Sequence, residues 1–143
     1  HNIYKRLIDV IFLVIKMGNS NFVEHNKEVY YATDSVVKLG KKDMEHFRAL
    51  ATQNERKRSR ICTHKDVNDG LHEMFIVLEK SSYIRPHKHF NKSESFHVIE
   101  GGVNIVLFDD KGNIIDILEM GDYASGRIFW IFGDHHPTRD GSS

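Results

Sequence analysis

The sequence predicts a mainly β protein, an antiparallel sandwich or barrel with one helix packed on its outside. Three observations predict it. From Ser59 onward, apolar residues recur with a period of two in many short runs. Turn-forming pairs and clusters, Gly101-Gly102 and Asp109-Asp110-Lys111-Gly112-Asn113, separate those runs. A single stretch, residues 41–57, places Met44, Phe47, Leu50 and Ala51 at helical spacing. Many short strands of this kind favour a sandwich or barrel over a parallel α/β sheet.

Taken in order, the chain opens on a stretch from Leu7 to Ile15 that is apolar apart from Asp9, with Lys5, Arg6 and Lys16 at its flanks. A signal segment or membrane anchor is one reading of it. Such a run spans only about half of a bilayer core, however, and no small-residue cleavage site follows. Residues 1–20 are therefore read as an extension outside the fold, with Met17 as the expected start, and residues 21–143 as one domain. Strands are expected at 28–32 and 35–39, around a Thr33-Asp34 turn, because β-branched and aromatic residues dominate both. Gly40 breaks the pattern, and the helix over 41–57 follows. Further strands are expected at 59–63, 72–80, 84–90, 95–100, 103–109 and 114–119.

Composition bounds the function classes. The 143 residues, 40% of them hydrophobic, suffice for one core. Twenty basic and twenty acidic residues give a formal charge of zero, so no field is built in for nucleic acid or an anionic membrane. With one cysteine no intrachain disulfide exists, which fits a reducing cytoplasm.

The densest chemistry lies at His87-Lys88-His89, followed by Glu94 and Gly101. On an extended segment His87 and His89 point to the same side, and a turn over 90–93 returns Glu94 beside them. Two neutral imidazoles and one carboxylate form a borderline donor set for a single divalent transition metal, Zn, Fe, Mn, Ni or Co, with positions left for water or substrate.

The spacing HxH(x4)E(x6)G over His87 to Gly101 resembles the first signature motif of the cupin superfamily, with Ser81 where that motif usually opens on glycine. The neighbouring residues narrow the resemblance. Arg58-Ser59-Arg60-Ile61-Cys62-Thr63-His64, Leu71-His72-Glu73-Met74, Ser82-Tyr83-Ile84-Arg85-Pro86 and Lys92-Ser93-Glu94-Ser95-Phe96-His97 resemble the WbuC family of cupin-fold metalloproteins, over roughly residues 39–122. The resemblance implies a cupin-type barrel of jelly-roll topology holding one metal, in a family associated with surface-polysaccharide (O-antigen) biosynthesis. It also implies a fourth ligand from a second motif. Gly121-Asp122 matches the start of that motif, but its proline is missing and its histidines arrive late. His136 is the first choice for the fourth ligand, His135 the alternative, and a solvent-exposed tail without a ligand is the third reading. The C-terminus is expected to be cut short or divergent.

A substrate pocket is expected from Arg60, Cys62, His64 and Arg85. The first three share a strand face by their i, i+2 spacing. A thiol and an imidazole there suit a second metal site or an acid/base pair, or else an inert buried Cys and a hydrogen-bonded core His. Arg60 and Arg85 suit a carboxylate or phosphate on a ligand. Arg56, Lys57 and Arg58, at the helix end, are expected to be merely solvated. His72 and His97 carry a weaker case, and His97, three residues after Glu94, is read as structural.

Three functions are carried forward. The first is a metal-dependent enzyme acting on a small, sugar-like substrate, with no catalytic residue assigned. The second is a non-haem iron dioxygenase, which uses the same two-histidine, one-carboxylate donor set. The third is a non-catalytic ligand-binding or regulatory cupin, since fold does not choose among them. A homodimer is expected; nucleic-acid and membrane partners are not.

Overall fold

The computed structural model describes residues 14–18 and 20–134. The chain divides into two compact units, residues 1–85 and 86–143. Among the described residues the protein is mainly β with one helix, and its strands form one five-stranded sheet and two two-stranded sheets, none of which closes into a barrel. No described helix is long and apolar enough to cross a membrane.

The first unit contains β1 (Val14–Met17), β2 (Ser20–Asn26), β3 (Val29–Ala32), α1 (Lys41–Gln53), β4 (Arg58–Cys62) and β5 (Met74–Leu78). The strands lie side by side in chain order. All neighbours are antiparallel except β3 and β4, which run parallel and align Tyr31 with Cys62. That pair departs from the all-antiparallel expectation for a physical reason: parallel neighbours need a long crossover, and α1 supplies it. A second correction concerns the presumed extension. Its last residues form β1, which pairs with β2 from Val14↔Val23 to Met17↔Ser20. Gly18 makes the connection at φ +49, a conformation that favours glycine.

The strand expected over 35–39 does not form. Side chains take the hydrogen bonds a ladder would need: Asn21 N donates to Asp34 Oδ2 at 2.8 Å, and Lys38 N donates to Ser20 Oγ at 2.8 Å. The helix starts where expected, with Gly40 N donating to Asp43 Oδ2 at 2.7 Å, half of a capping box. It ends at Gln53, short of residue 57. Asn54 stops it by donating its N–H to Leu50 O at 3.1 Å while its side chain bonds both the N–H and the carbonyl of Arg58. Lys57, at φ 54, completes the turn into β4.

One aromatic cluster holds this unit together. Phe22, Tyr30, Phe47 and Ile61 are buried, with Ala32, Leu39, Met44, Leu50, Phe75 and Val77 packed against them. The Phe47 ring, on the apolar stripe of α1, meets Phe22 at 5.5 Å and Tyr30 at 5.2 Å, both edge-on, the favoured aromatic arrangement. Ser59 Oγ donates to the Phe47 carbonyl at 2.8 Å and ties β4 to the helix.

The second unit contains β6 (Ser93–His97), β7 (Gly102–Phe108), β8 (Ile114–Gly121), a 3-10 turn (Tyr123–Ser125) and β9 (Trp130–Asp134). β7 and β8 form the expected hairpin, closed by Asp109: its carboxylate accepts from Lys111 N and Asn113 N, and Gly112 takes φ +84. β6 pairs with β9, a strand the sequence pattern did not single out. The strand expected over 84–90 joins no ladder.

Candidate functional site

His87 and His89 lie on the extended stretch before β6, and Glu94 is the second residue of β6. The intervening turn works through Asn91, which adopts φ 52, a left-handed conformation that asparagine tolerates better than most residues. The two imidazole rings are adjacent, with centroids 4.7 Å apart and edge to face. His89 Nε2 lies 3.2 Å from Glu94 Oε1, both side chains about one-third exposed. Across the ladder Glu94 faces Gly133 of β9, which has no side chain to crowd the carboxylate.

The motif spacing therefore does bring His87, His89 and Glu94 together as a chain of neighbours. The donors also fit a metal in type and in one distance: ligand atoms each about 2.1 Å from a common ion sit roughly 3 Å apart, close to the His89–Glu94 separation. Among the described residues no group of three or more His, Cys, Asp and Glu side chains has already converged to coordination distance. His135 and His136, the choices for a fourth ligand, lie outside the described residues. Beside the motif, Lys88 Nζ bonds Asp110 Oδ1 at 2.5 Å, so that cation is engaged. His97 packs its ring on Phe129 at 5.7 Å, in keeping with a structural part.

Of the expected pocket residues, Arg60 and Cys62 lie on β4 of the other unit, His64 just past the end of that strand, and Arg85 outside the sheet. Cys62 and His64 share a face, and both reach Tyr31, which the sequence reading passed over. Tyr31 is aligned with Cys62 on the neighbouring strand; its hydroxyl is within hydrogen-bonding reach of the thiol, and its ring meets His64 edge-on at 5.8 Å. Cys62 is 2% exposed, and burial pushes its thiol up from its ordinary range, against the pull of Arg60 and the Tyr31 hydroxyl. Burial likewise raises Tyr31, with Cys62 adding to the effect. Arg60 is exposed on the same strand, and its charge acts on both groups. Arg85 is exposed, at the end of this unit.

The basic run at the helix end is less free than its composition suggests. Arg56 makes a two-pronged contact with Glu28, Nε to Oε1 at 2.7 Å and Nη2 to Oε2 at 2.6 Å, and Arg58 Nε adds a third at 3.3 Å. These bonds, Arg56's above all, hold the Glu28 carboxyl below the usual carboxylate range. Lys57 Nζ is turned back onto the Thr52 carbonyl at 2.6 Å. All three cations expected to be merely solvated are thus engaged locally.

The fold and site define a mainly β protein with one helix, carrying a histidine-rich motif at the start of a strand. A family profile described as a domain of unknown function, DUF6016, matches residues 39–120, more than half of the chain. The chain belongs to the DUF6016 family. The matched region runs from the start of α1 into β8 and includes His64, His87, His89 and Glu94. No curated protein and no solved structure gives a significant match.

Proposed function

We propose that this protein is a cupin-type metal-binding protein that holds one divalent transition metal at His87, His89 and Glu94, with His136 as the candidate fourth ligand, and acts on a small, polar, sugar-like substrate. The observation that carries the reading is the contact chain His87–His89–Glu94, with His89 Nε2 and Glu94 Oε1 already at ligand-like separation. The jelly-roll barrel, the sugar substrate and the link to surface-polysaccharide biosynthesis rest on the resemblance of the motif and its neighbours to WbuC-type cupins. A cytoplasmic location is part of the reading and is supported by the single cysteine.

When bound, the metal would supply Lewis acidity or an activated water. The residues' own part is to present two neutral imidazoles and a carboxylate from one turn. Glu94, whose Oε1 lies 3.2 Å from His89 Nε2 and which faces a glycine, is the group that would hold or pass a proton there.

The test is metal content by mass spectrometry on full-length protein purified without chelator, beside a His87→Ala/His89→Ala variant. Near-stoichiometric metal that falls by one equivalent in the variant is expected. Equal content in both proteins overturns the site. Iron accompanied by oxygen uptake would move the assignment to a non-haem oxygenase. Metal without turnover of any sugar derivative would favour a binding cupin.

A further inference from the structure

A second set of histidines lies wholly within the first unit, away from the HxH motif in sequence, and the proposed function does not use it. The β4–β5 ladder pairs Cys62 with Met74. Beyond it, Thr63 N donates to Glu73 O at 3.0 Å, which carries the same register one step further. The next opposed pair is His64 and His72. Directly opposed residues of an antiparallel pair put their side chains on one face at close range, and the two imidazoles are stacked, with centroids 4.4 Å apart and planes within 5°.

His64 is held in one tautomer. Its Nδ1 is 3.1 Å from the Glu73 carbonyl, which can only accept, so Nδ1 carries the proton and Nε2 keeps its lone pair. The ring is 7% exposed and fixed between Tyr31 and His72, and Nε2 has no hydrogen-bond partner among the described residues. A histidine whose other nitrogen is bound to a backbone carbonyl is the usual supporting arrangement for a metal-ligating imidazole. His72, by contrast, is exposed and free to turn. The connecting loop is organised by carboxylates: Asp69 Oδ2 accepts from Lys65 N at 3.1 Å, and Asp66 Oδ1 accepts from Asn68 N at 2.8 Å. Asp69 also lies within electrostatic reach of His64, which adds negative charge beside the pair.

We propose that His64 Nε2 and His72 form a second binding site for a borderline divalent cation such as Zn²⁺ or Co²⁺, with water completing its coordination. Parallel stacked rings do not aim their lone pairs at a common point, so His72 turns out of the stack on binding while His64 stays fixed. That motion is inexpensive for an exposed ring, whose outer side-chain torsion is broad. Cys62 is not a ligand: its thiol is buried and directed to the Tyr31 hydroxyl.

The test uses full-length protein carrying His87→Ala and His89→Ala, so that the outcome is independent of the first site. It is titrated with Co²⁺ and followed by visible absorption, with equilibrium dialysis against Zn²⁺ for stoichiometry. One equivalent should bind, without a thiolate charge-transfer band, and adding His72→Ala should weaken it at least tenfold. His72 is exposed, so that change leaves the fold intact, which an unchanged circular-dichroism melt would verify. Cys62→Ser should leave the affinity unchanged. Unaltered binding after His72→Ala, a thiolate band, or no binding in the His87→Ala/His89→Ala protein would each overturn the proposal. The first site is judged separately, by the equivalent lost between wild type and that double variant.

Discussion

In the first unit Phe22, Tyr30, Phe47 and Ile61 are buried between a five-stranded sheet and α1, whereas in the second unit Ile114, Ile115, Ile117 and Phe132 stay exposed on two-stranded ladders. Both units have apolar strands with intact backbone pairing. The difference shows that pairing satisfies backbone polar groups without creating a core: a ladder needs a further layer before its side chains leave water. In the first unit the crossover helix that permits the parallel β3–β4 pair also supplies that layer. Each candidate site belongs to one of these two settings. His64 is clamped at the end of a packed sheet, while His87 and His89 lie on the extended stretch before β6 and Glu94 on β6 itself, all at least partly exposed.

The contrast can be broken most directly at Phe47. Phe47→Ala removes the ring on which the aromatic cluster converges and is expected to cost about 3–5 kcal/mol, measured by urea unfolding. A cost under about 1 kcal/mol would mean the cluster is not the core of this unit. Gly18→Ala tests how tightly β1 is fastened to the same unit. A Cβ at Gly18 would meet the buried Asp43 carboxylate, and φ is +49, so a loss of roughly 1–3 kcal/mol is expected. A neutral result would detach β1 from the cooperative unit.

A smaller effect is expected at the ion-pair cluster. Glu28→Gln removes the acceptor for Arg56 and Arg58. Because the Arg56 side chain is largely exposed, the cost at neutral pH should be only about 1 kcal/mol. The sign with pH follows from the lowered Glu28 value. The stabilisation is fully present above the ordinary carboxylate value of about 4.3 and is lost as pH falls through the lower folded value. Wild type and variant should therefore converge in stability in acid, and a gap that persists at low pH would assign the effect to packing instead. The smallest change sharpens the other side of the comparison. Ile115 is 65% exposed, and Ile115→Ala should shift stability by no more than about 0.5 kcal/mol. A cost approaching that of Phe47→Ala would show that the second unit's apolar strands are covered in solution.

Much of the candidate chemistry was legible in the residue order. The HxH spacing and the Asn91 turn bring Glu94 next to His89, because both depend on a short loop whose geometry is local. Tyr31 and the His64–His72 pair depend on strand partners distant in the chain. The pair follows from continuing the Cys62↔Met74 register by two residues, a signal available only once β4 and β5 are known to be partners. Tyr31 reaches Cys62 across a parallel pairing, and no local pattern announces one.

What the sequence by itself determined is the local repertoire: the helix stripe of Met44, Phe47 and Leu50, the period-two runs of β4, β5, β7 and β8, and the hairpin closed by Asp109 and Gly112. These depend on neighbours a few residues away, whose preferences are written in side-chain shape and turn chemistry. Tertiary structure alone decided that β1 joins the sheet, that β3 and β4 run parallel, that residues 35–39 and 84–90 join no ladder, and that β6 finds β9. Strand partners are chosen by long-range burial and chain closure rather than by local propensity, and edge pairings can be exchanged without altering any residue's own preference. That is why the His87, His89 and Glu94 motif is legible in the residue order, whereas the His64–His72 pairing exists only through the partnership of β4 and β5.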